Sequence, residues 1–275
     1  STDAWLVAVA GVSLRGRPPV VRTRHVSTPV NNSLATRWLY QHATRHLVVT
    51  GEALKMQLVR DNGFDPARIT SVRTGIDLDR FRPQAAPLLR ASLRIDDRPA
   101  VMILATLRDW KGHDDLLDAW QRLRERVAGW QLLVVGDGPR RAHLERRVSD
   151  MGLCADVTFA GNQDDVPAWF ARAAIAVLPS YGDEGVPQSL MQAAACGLPA
   201  VSTPIGAIAE AVIDGTTGLL VPPRDVGALA AALERLMTDS ELRTHMGRAA
   251  YEYAQAHFGI ERLRPLRRQG LGAQA

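Results

Sequence analysis

From about residue 100 onward, short apolar runs alternate with amphipathic stretches. AVMILATL (100–107), WQLLVVG (130–136), DVTFAG (156–161), AIAVLPS (174–180), PAVSTP (199–204) and GLLVPP (218–223) are apolar on successive positions and bounded by Gly, Pro or polar residues, the pattern of fully buried strands. Between them HDDLLDAWQRLRERV, RRAHLERRVSDMG, VPAWFARA, PQSLMQAAAC and AIAEAVIDG read as helices. Strands apolar on both faces and joined by crossover helices imply a parallel sheet covered on both sides, so this part is a doubly wound α/β domain.

Residues 19–75 repeat the rhythm more briefly, with strand candidates PVVRTRH, RHLVVTG and ITSVRTG separated by SLATRWLYQHA and EALKMQLVRDNG. Three such units are too few for a sheet of ordinary width, so the reading expects upstream strands to be absent and a strand edge to be left unpaired. The charged, proline-containing stretch after residue 76 reads as the connection between two units. The expected organisation is a partial first domain at 1–83, a linker at 84–98, a second domain at 99–258 and a basic tail or helix at 259–275. DVGALAAALERLM, DSELRTHMGRAAYEYAQAHF and IERLRPLRRQ read as terminal helices.

Composition adds little to the fold and more to the setting. A chain of 275 residues with 46% hydrophobic and 23% charged residues is an ordinary globular one, and no apolar run approaches the roughly 18 residues of a bilayer span. STDAWLVAVAGVSL lacks a basic leader followed by a long apolar core, and reads as no signal peptide. The two cysteines, Cys154 and Cys196, have no metal-ligand spacing, which points to a reducing, cytoplasmic compartment. The net charge of +4 hides an asymmetry, since residues 1–95 hold 14 Lys/Arg against 6 Asp/Glu. A basic front suits an acidic acceptor or anionic lipid, with peripheral contact at the inner membrane face as the expectation. No nucleic-acid-binding motif is present.

In an open parallel sheet, ligands bind beyond the carboxyl ends of the strands. That rule selects Arg108 and Lys111 after the first strand of the second domain, DGPR after the second, NQDDVP after the third, YGDEGVPQS after the fourth, and His25 at a strand end in the front part. Two cations, together with Gly185 and Pro187 opening a helix whose free N–H groups face the same edge, suit a diphosphate. GDGPRR is only a partial dinucleotide fingerprint, and no P-loop occurs. Glu184 and Gln192 are eight apart, a spacing that on one helix returns to nearly the same face and predicts two contacts on one extended ligand. His113 and His257 read as helix-surface residues. No acidic metal cluster and no Ser/His/Asp set is visible.

The stretch PSYGDEGVPQSLMQAAACGLPAVSTPIGAIAEAVIDGTTGLLVPPRDVGALAAALERLM resembles the signature region of retaining GT-B glycosyltransferases of family 4, which use nucleotide sugars. TGIDLDRFRP, LRDWKGHDDLLDAW, VVGDGPRRAHLE and FAGNQDDVPAWFARA agree with the same family in order and spacing, so the resemblance covers about residues 18–260. It implies two Rossmann-like domains, the first incomplete, the second holding the donor. By resemblance Glu184 matches the glutamate near the donor sugar, and Gln192 stands where a second glutamate contacts the ribose. Lys111 matches the lysine on the diphosphate. The family arginine falls on Thr106, with Arg108 taking its place. The resemblance also sets the backbone of Gly185, Val186 and Pro187 against the diphosphate and counts Gln188 among the donor-binding residues. Gly136 and Gly138 form a neighbouring loop, Asn162 and Gln163 lie near the base, and His25 faces the sugar from the first domain.

The implied reaction is transfer of a sugar to a saccharide or lipid-linked acceptor with retained configuration, in cell-surface polysaccharide or lipopolysaccharide synthesis. It needs neither a metal nor a cofactor beyond the donor, and assigns Glu184 and His25 to the reacting centre. With half of the first domain absent, nucleotide binding should outlast turnover. Two other readings compete: a sugar-nucleotide epimerase of the same architecture, and a catalytically silent nucleotide-binding module.

Overall fold

The computed structural model describes residues 2–12, 18–24, 28–72, 74–84, 97–182 and 184–261. In chain order the first part forms α1 (Thr2–Val12), β1 (Val21–Arg24), α2 (Leu34–Gln41), β2 (His46–Val49), α3 (Glu52–Asn62) and β3 (Ile69–Ser71). The strands pair in parallel in the order β1-β2-β3. Leu39, Tyr40, Leu47, Val49, Leu54, Leu58, Phe64 and Ile69 close a small core over them. Local signals set the ends: the Ser33 hydroxyl accepts from Thr36 N–H to start α2, and Gly63 at φ 65° ends α3.

The helix α1 was not foreseen. Ala8 is buried and the Trp5 ring stacks on Trp38 at 6.3 Å, while Leu6, Val7 and Val9 remain exposed. Its apolar residues follow no clean period, which is why the pattern alone passed over it.

The second part carries β4 (Ala100–Leu104), α4 (His113–Leu123), β5 (Gln131–Val135), α5 (Arg141–Asp150), β6 (Val157–Gly161), α6 (Val166–Phe170), β7 (Ala173–Leu178), α7 (Gln188–Ala195), β8 (Ala200–Ser202), β9 (Gly218–Leu220), α8 (Val226–Thr238) and α9 (Ser240–His257). All six predicted runs contain a strand, and they pair in parallel in the order β6-β5-β4-β7-β8-β9. Every residue of β5 and β8 is buried, as expected for strands with helices on both faces. Asp225 and Asp239 cap α8 and α9 by accepting from Ala228 and Leu242 N–H. Ile76 and Phe81 join this core, and Ile76 pairs with the chain at Phe258–Ile260, so the segment after α9 returns to the start of the connection.

Two helix expectations are corrected. AIAEAVIDG forms only a 3-10 turn at Ile208–Glu210, because Ile213, Asp214 and Thr217 bond into the turn that leads to β9. The VPAWFARA helix stops at Phe170, since Ala173 already belongs to β7. All but the first two residues of the helix expected at 260–269, and most of the linker at 84–98, lie outside the described residues. No helix among the described residues is long and apolar enough to cross a membrane.

Candidate functional site

The strand order reverses at β4. From it the chain steps outward to β5 and β6, then crosses back to β7 on the other side and continues to β8 and β9. The loops leaving β4 and β7 at their carboxyl ends therefore flank the switch point, where a crevice must open. The β4 loop makes a 3-10 turn at Asp109–Lys111 and enters α4 through Gly112 at φ 75°. A Cβ at Gly112 would lie 2.0 Å from the Pro179 carbonyl oxygen, so only glycine allows the two loops to touch here. Tyr181 N–H donates to Trp110 carbonyl at 2.9 Å and ties them a second time.

That docking brings Lys111 and Glu184 together across 73 residues of sequence. Lys111 Nζ donates to Glu184 Oε1 at 2.6 Å, and the Ser180 hydroxyl donates to the same oxygen at 2.7 Å. The two side chains retain 19% and 9% of their exposure. A pair this buried adds little net stability but leaves a costly charge behind if either partner is removed, so it holds position more than it stabilises.

The pair lines a cavity of about 450 Å³. Gly185, Val186, Pro187, Gln188 and Ser189 form its other wall in the second part, and Thr50 and Thr74 enter from the first. Thr50 directly follows β2 and Thr74 lies just beyond β3, so the carboxyl ends of both sheets face the same space. The first turn of α7 begins at Gln188, behind Pro187, and its leading N–H groups have no partner within the helix. Cation, carboxylate and helix N-terminus thus meet in one crevice, an arrangement suited to an anion with hydroxyls attached.

Six of the residues singled out from sequence line this cavity: Lys111, Glu184, Gly185, Val186, Pro187 and Gln188. Gln192 sits half-buried on α7 and does not line it. The shared helix face expected for Glu184 and Gln192 does not exist, because α7 starts at Gln188 and Glu184 belongs to the loop before it. Arg108 is exposed, its guanidinium 5.2 Å from the Trp110 ring centre rather than in the cavity. Gly136 and Gly138 follow β5 and press on the β4 loop, where added Cβ atoms would meet Ala105 O at 2.1 Å and Leu107 N and O at 2.7 Å. Asn162, after β6, is exposed, and Gln163 donates to Ala160 carbonyl at 2.6 Å. These four occupy the same sheet edge one and two strands away. His25 lies outside the described residues.

Sequence reasoning missed Thr50, Thr74, Ser180 and Ser189. Applying the strand-end rule to the second and third strands of the front part would have selected both threonines. The reading of His113 as a surface residue is also corrected: it is 4% exposed, and burial, opposed in part by the Asp114 charge, lowers its pKa to about 4. The neighbouring Asp114 accepts from Arg140, His143 and Arg147, and these bonds outweigh its burial and bring it to about 2, tying α4 to α5. His257 is at the surface, stacked on Tyr253. A second cavity of about 260 Å³ lies at the opposite ends of β2 and β3. Its Arg68 donates to the backbone carbonyls of Gln41, Thr44 and Arg45, which makes it a structural clasp.

Two parallel α/β sheets that open their carboxyl ends onto a shared crevice define the GT-B architecture of glycosyltransferases. Residues 98–239 match the family model of glycosyl transferases group 1 and residues 1–80 that of glycosyltransferase family 4, and the chain belongs to this family. The GDP-mannose-dependent alpha-(1-6)-phosphatidylinositol monomannoside mannosyltransferase of Mycobacterium tuberculosis is 34% identical over 208 residues, covering 72% of this chain and 54% of that protein. D-inositol 3-phosphate glycosyltransferase 2 of Catenulispora acidiphila is 34% identical over 230 residues, covering 79% and 53%. The chain spans about half the length of these two relatives. The crystal structure of Anabaena Alr3699/HepE in complex with UDP and glucose shares the fold with a TM-score of 0.88 at 20% identity, over 99% of this chain and 76% of that one.

Proposed function

We propose that this chain binds a nucleoside-diphosphate sugar in the crevice at the switch point and transfers its sugar, with retained configuration, to a saccharide or lipid-linked acceptor. The observation that carries this reading is the Lys111–Glu184 pair on the cavity wall beside the first turn of α7. Lys111 and the α7 N–H groups would hold the diphosphate and stabilise the charge that gathers on it as the bond to the sugar breaks. The reading gives that task to the chain's own donors rather than to a metal ion. Once a phosphate takes Lys111, the Glu184 carboxylate is released to accept from a sugar hydroxyl. The acceptor oxygen forms its bond to the sugar carbon on the face the phosphate leaves, and its proton passes to the departing phosphate oxygen.

From Lys111 the sheet edge runs past the β5 and β6 loops, which gives a nucleoside room to extend toward Gly136, Gly138, Asn162 and Gln163. Gln192 and Arg108 are assigned to the rim of the same ligand. Thr50 and Thr74 face the sugar and acceptor from the first sheet, and the resemblance gives His25 the same task. The two named relatives support a GDP-mannose donor and an inositol-containing or lipid-linked acceptor as the first to try. The basic front part favours a phosphorylated acceptor or an anionic membrane.

Calorimetric titration of the chain with GDP, UDP and ADP, repeated with Lys111→Ala, tests the reading. Saturable binding of one nucleotide, weakened in the variant by about 1.5 to 3 kcal/mol as for a lost charged hydrogen bond, is expected. Binding unaffected by Lys111→Ala would contradict it.

A further inference from the structure

The two sheets also meet beside the crevice, where the segment before β9 touches the start of α3. Glu210 Oε1 accepts from Ala53 N–H at 2.8 Å, although the two residues are 157 apart in sequence. Ala53 lies in the first turn of α3, whose N–H groups have no partner within the helix and carry its positive dipole end. Gly51, which caps that helix, is buried against the same segment. A Cβ there would lie 2.9 Å from Glu210 Oε1 and 3.2 Å from both Ala207 Cβ and Val186 Cγ2. The contact therefore abuts the cavity wall on both sides, since Val186 lines the cavity and Thr50 immediately precedes Gly51.

The segment that carries Glu210 is bonded to the proposed donor site. Ala207 N–H donates to the Glu184 carbonyl at 3.1 Å, and Tyr253 of α9 donates its hydroxyl to the Glu210 carbonyl at 3.4 Å. A path of three short links thus runs from α3 through Glu210 and Ala207 to the backbone of the residue that holds Lys111. We infer that Glu210 is a positioning residue: its carboxylate latches α3 onto the second sheet, and through Ala207 it fixes the Glu184 segment while the crevice is closed. The latch is a half-exposed hydrogen bond to a helix end, weak enough to break and reform. Each sheet has its own core, so loosening the latch need not unfold either. This inference rests on the donor-site reading for its effect on ligand binding, and on geometry alone for the coupling.

The test is hydrogen exchange on the full chain without ligand, comparing wild type, Glu210→Ala and Glu210→Gln over residues 50–58 and 184–191, followed by titration with GDP and UDP. In Glu210→Ala both segments should exchange faster together, by roughly fivefold or more, and nucleotide affinity should fall by a similar factor. Glu210→Gln keeps an acceptor and should restore much of both. Gly51→Ala, whose Cβ would press on Glu210 Oε1 as well as on Ala207 and Val186, pushes the same surfaces apart while the carboxylate is retained, and should reproduce the pattern. Faster exchange confined to residues 50–58, with 184–191 and affinity unchanged, would reduce Glu210 to a helix cap and overturn the inference. A wild-type chain that binds neither nucleotide would count against the donor site, while the exchange comparison would still decide the latch.

Discussion

Replacing Glu184 by glutamine separates the two roles the carboxylate can have. In the free chain it accepts from Lys111 at 2.6 Å and from Ser180 at 2.7 Å with 9% of its surface exposed. A charged hydrogen bond of this kind contributes about 1.5 to 3 kcal/mol, and the amide oxygen recovers part of it, so Glu184→Gln should lower stability by about 1 to 2 kcal/mol in urea unfolding. The effect on ligand has the opposite sign. A diphosphate entering the cavity must take Lys111 from the carboxylate and settle near a like charge, whose repulsion at about 4 Å reaches about 4 kcal/mol at an effective dielectric of 20 before Lys111 offsets it. Removing the charge should therefore tighten nucleoside diphosphate binding by roughly five- to tenfold, about 1 to 1.4 kcal/mol. The nucleotide sugar should gain less, because it loses the acceptor for its hydroxyl. Calorimetry at fixed ionic strength reads both ligands. If Glu184→Gln instead weakens nucleoside diphosphate as much as Lys111→Ala does, the carboxylate serves only to hold the lysine, and the exchange of partners is wrong.

Other outcomes follow from groups around the site. His113 titrates near 4 when folded and near 6.5 when unfolded, so the unfolded chain binds its proton first; stability should fall as pH drops from 6.5 toward 4, by about 3 kcal/mol, and His113→Leu should remove that slope from denaturant midpoints. Gly112→Ala combines a left-handed φ with a Cβ 2.0 Å from Pro179 O, and should cost about 2 kcal/mol or more while abolishing nucleotide binding, read by thermal melts and titration. Burial pushes the Cys196 thiol up to about 12 while Cys154 is exposed, so a thiol reagent at pH 8 should label Cys154 quickly and Cys196 only on unfolding.

Much of the second sheet was legible because burial on both faces leaves a direct trace: β5, with all five residues buried, carries four successive apolar residues, Leu132 to Val135, behind Gln131. The strand-end rule then found Lys111 and the Glu184 loop without knowledge of their partnership, since a rule about where loops emerge says nothing about which loops meet. Their pairing depends on the order β5-β4-β7, which no local pattern contains. The helical argument for Gln192 failed for a related reason. Periodicity applies only inside a helix, and Pro187 delays the start of α7 beyond Glu184. His113 looked solvent-facing because it opens a polar stretch, HDD, yet it is buried beside Leu116, Leu132, Val134, Leu144 and Phe159, apolar residues that come together only in the folded sheet and its covering helices. The turn at 208–210 was masked by the helix-forming alanines of AIAEA, whose preference gives way to the Ile213–Thr217 bonds.

The proposed diphosphate site is the crevice between β4 and β7, held by Lys111 and the start of α7. A crystal structure of the chain with GDP, or with whichever nucleotide binds best, addresses it directly. Phosphate oxygens are expected about 2.7 to 2.9 Å from Lys111 Nζ and from N–H groups in the first turn of α7, with Glu184 released from the lysine. A nucleotide bound elsewhere, or one in the crevice that leaves the 2.6 Å Lys111–Glu184 bond intact, would contradict it.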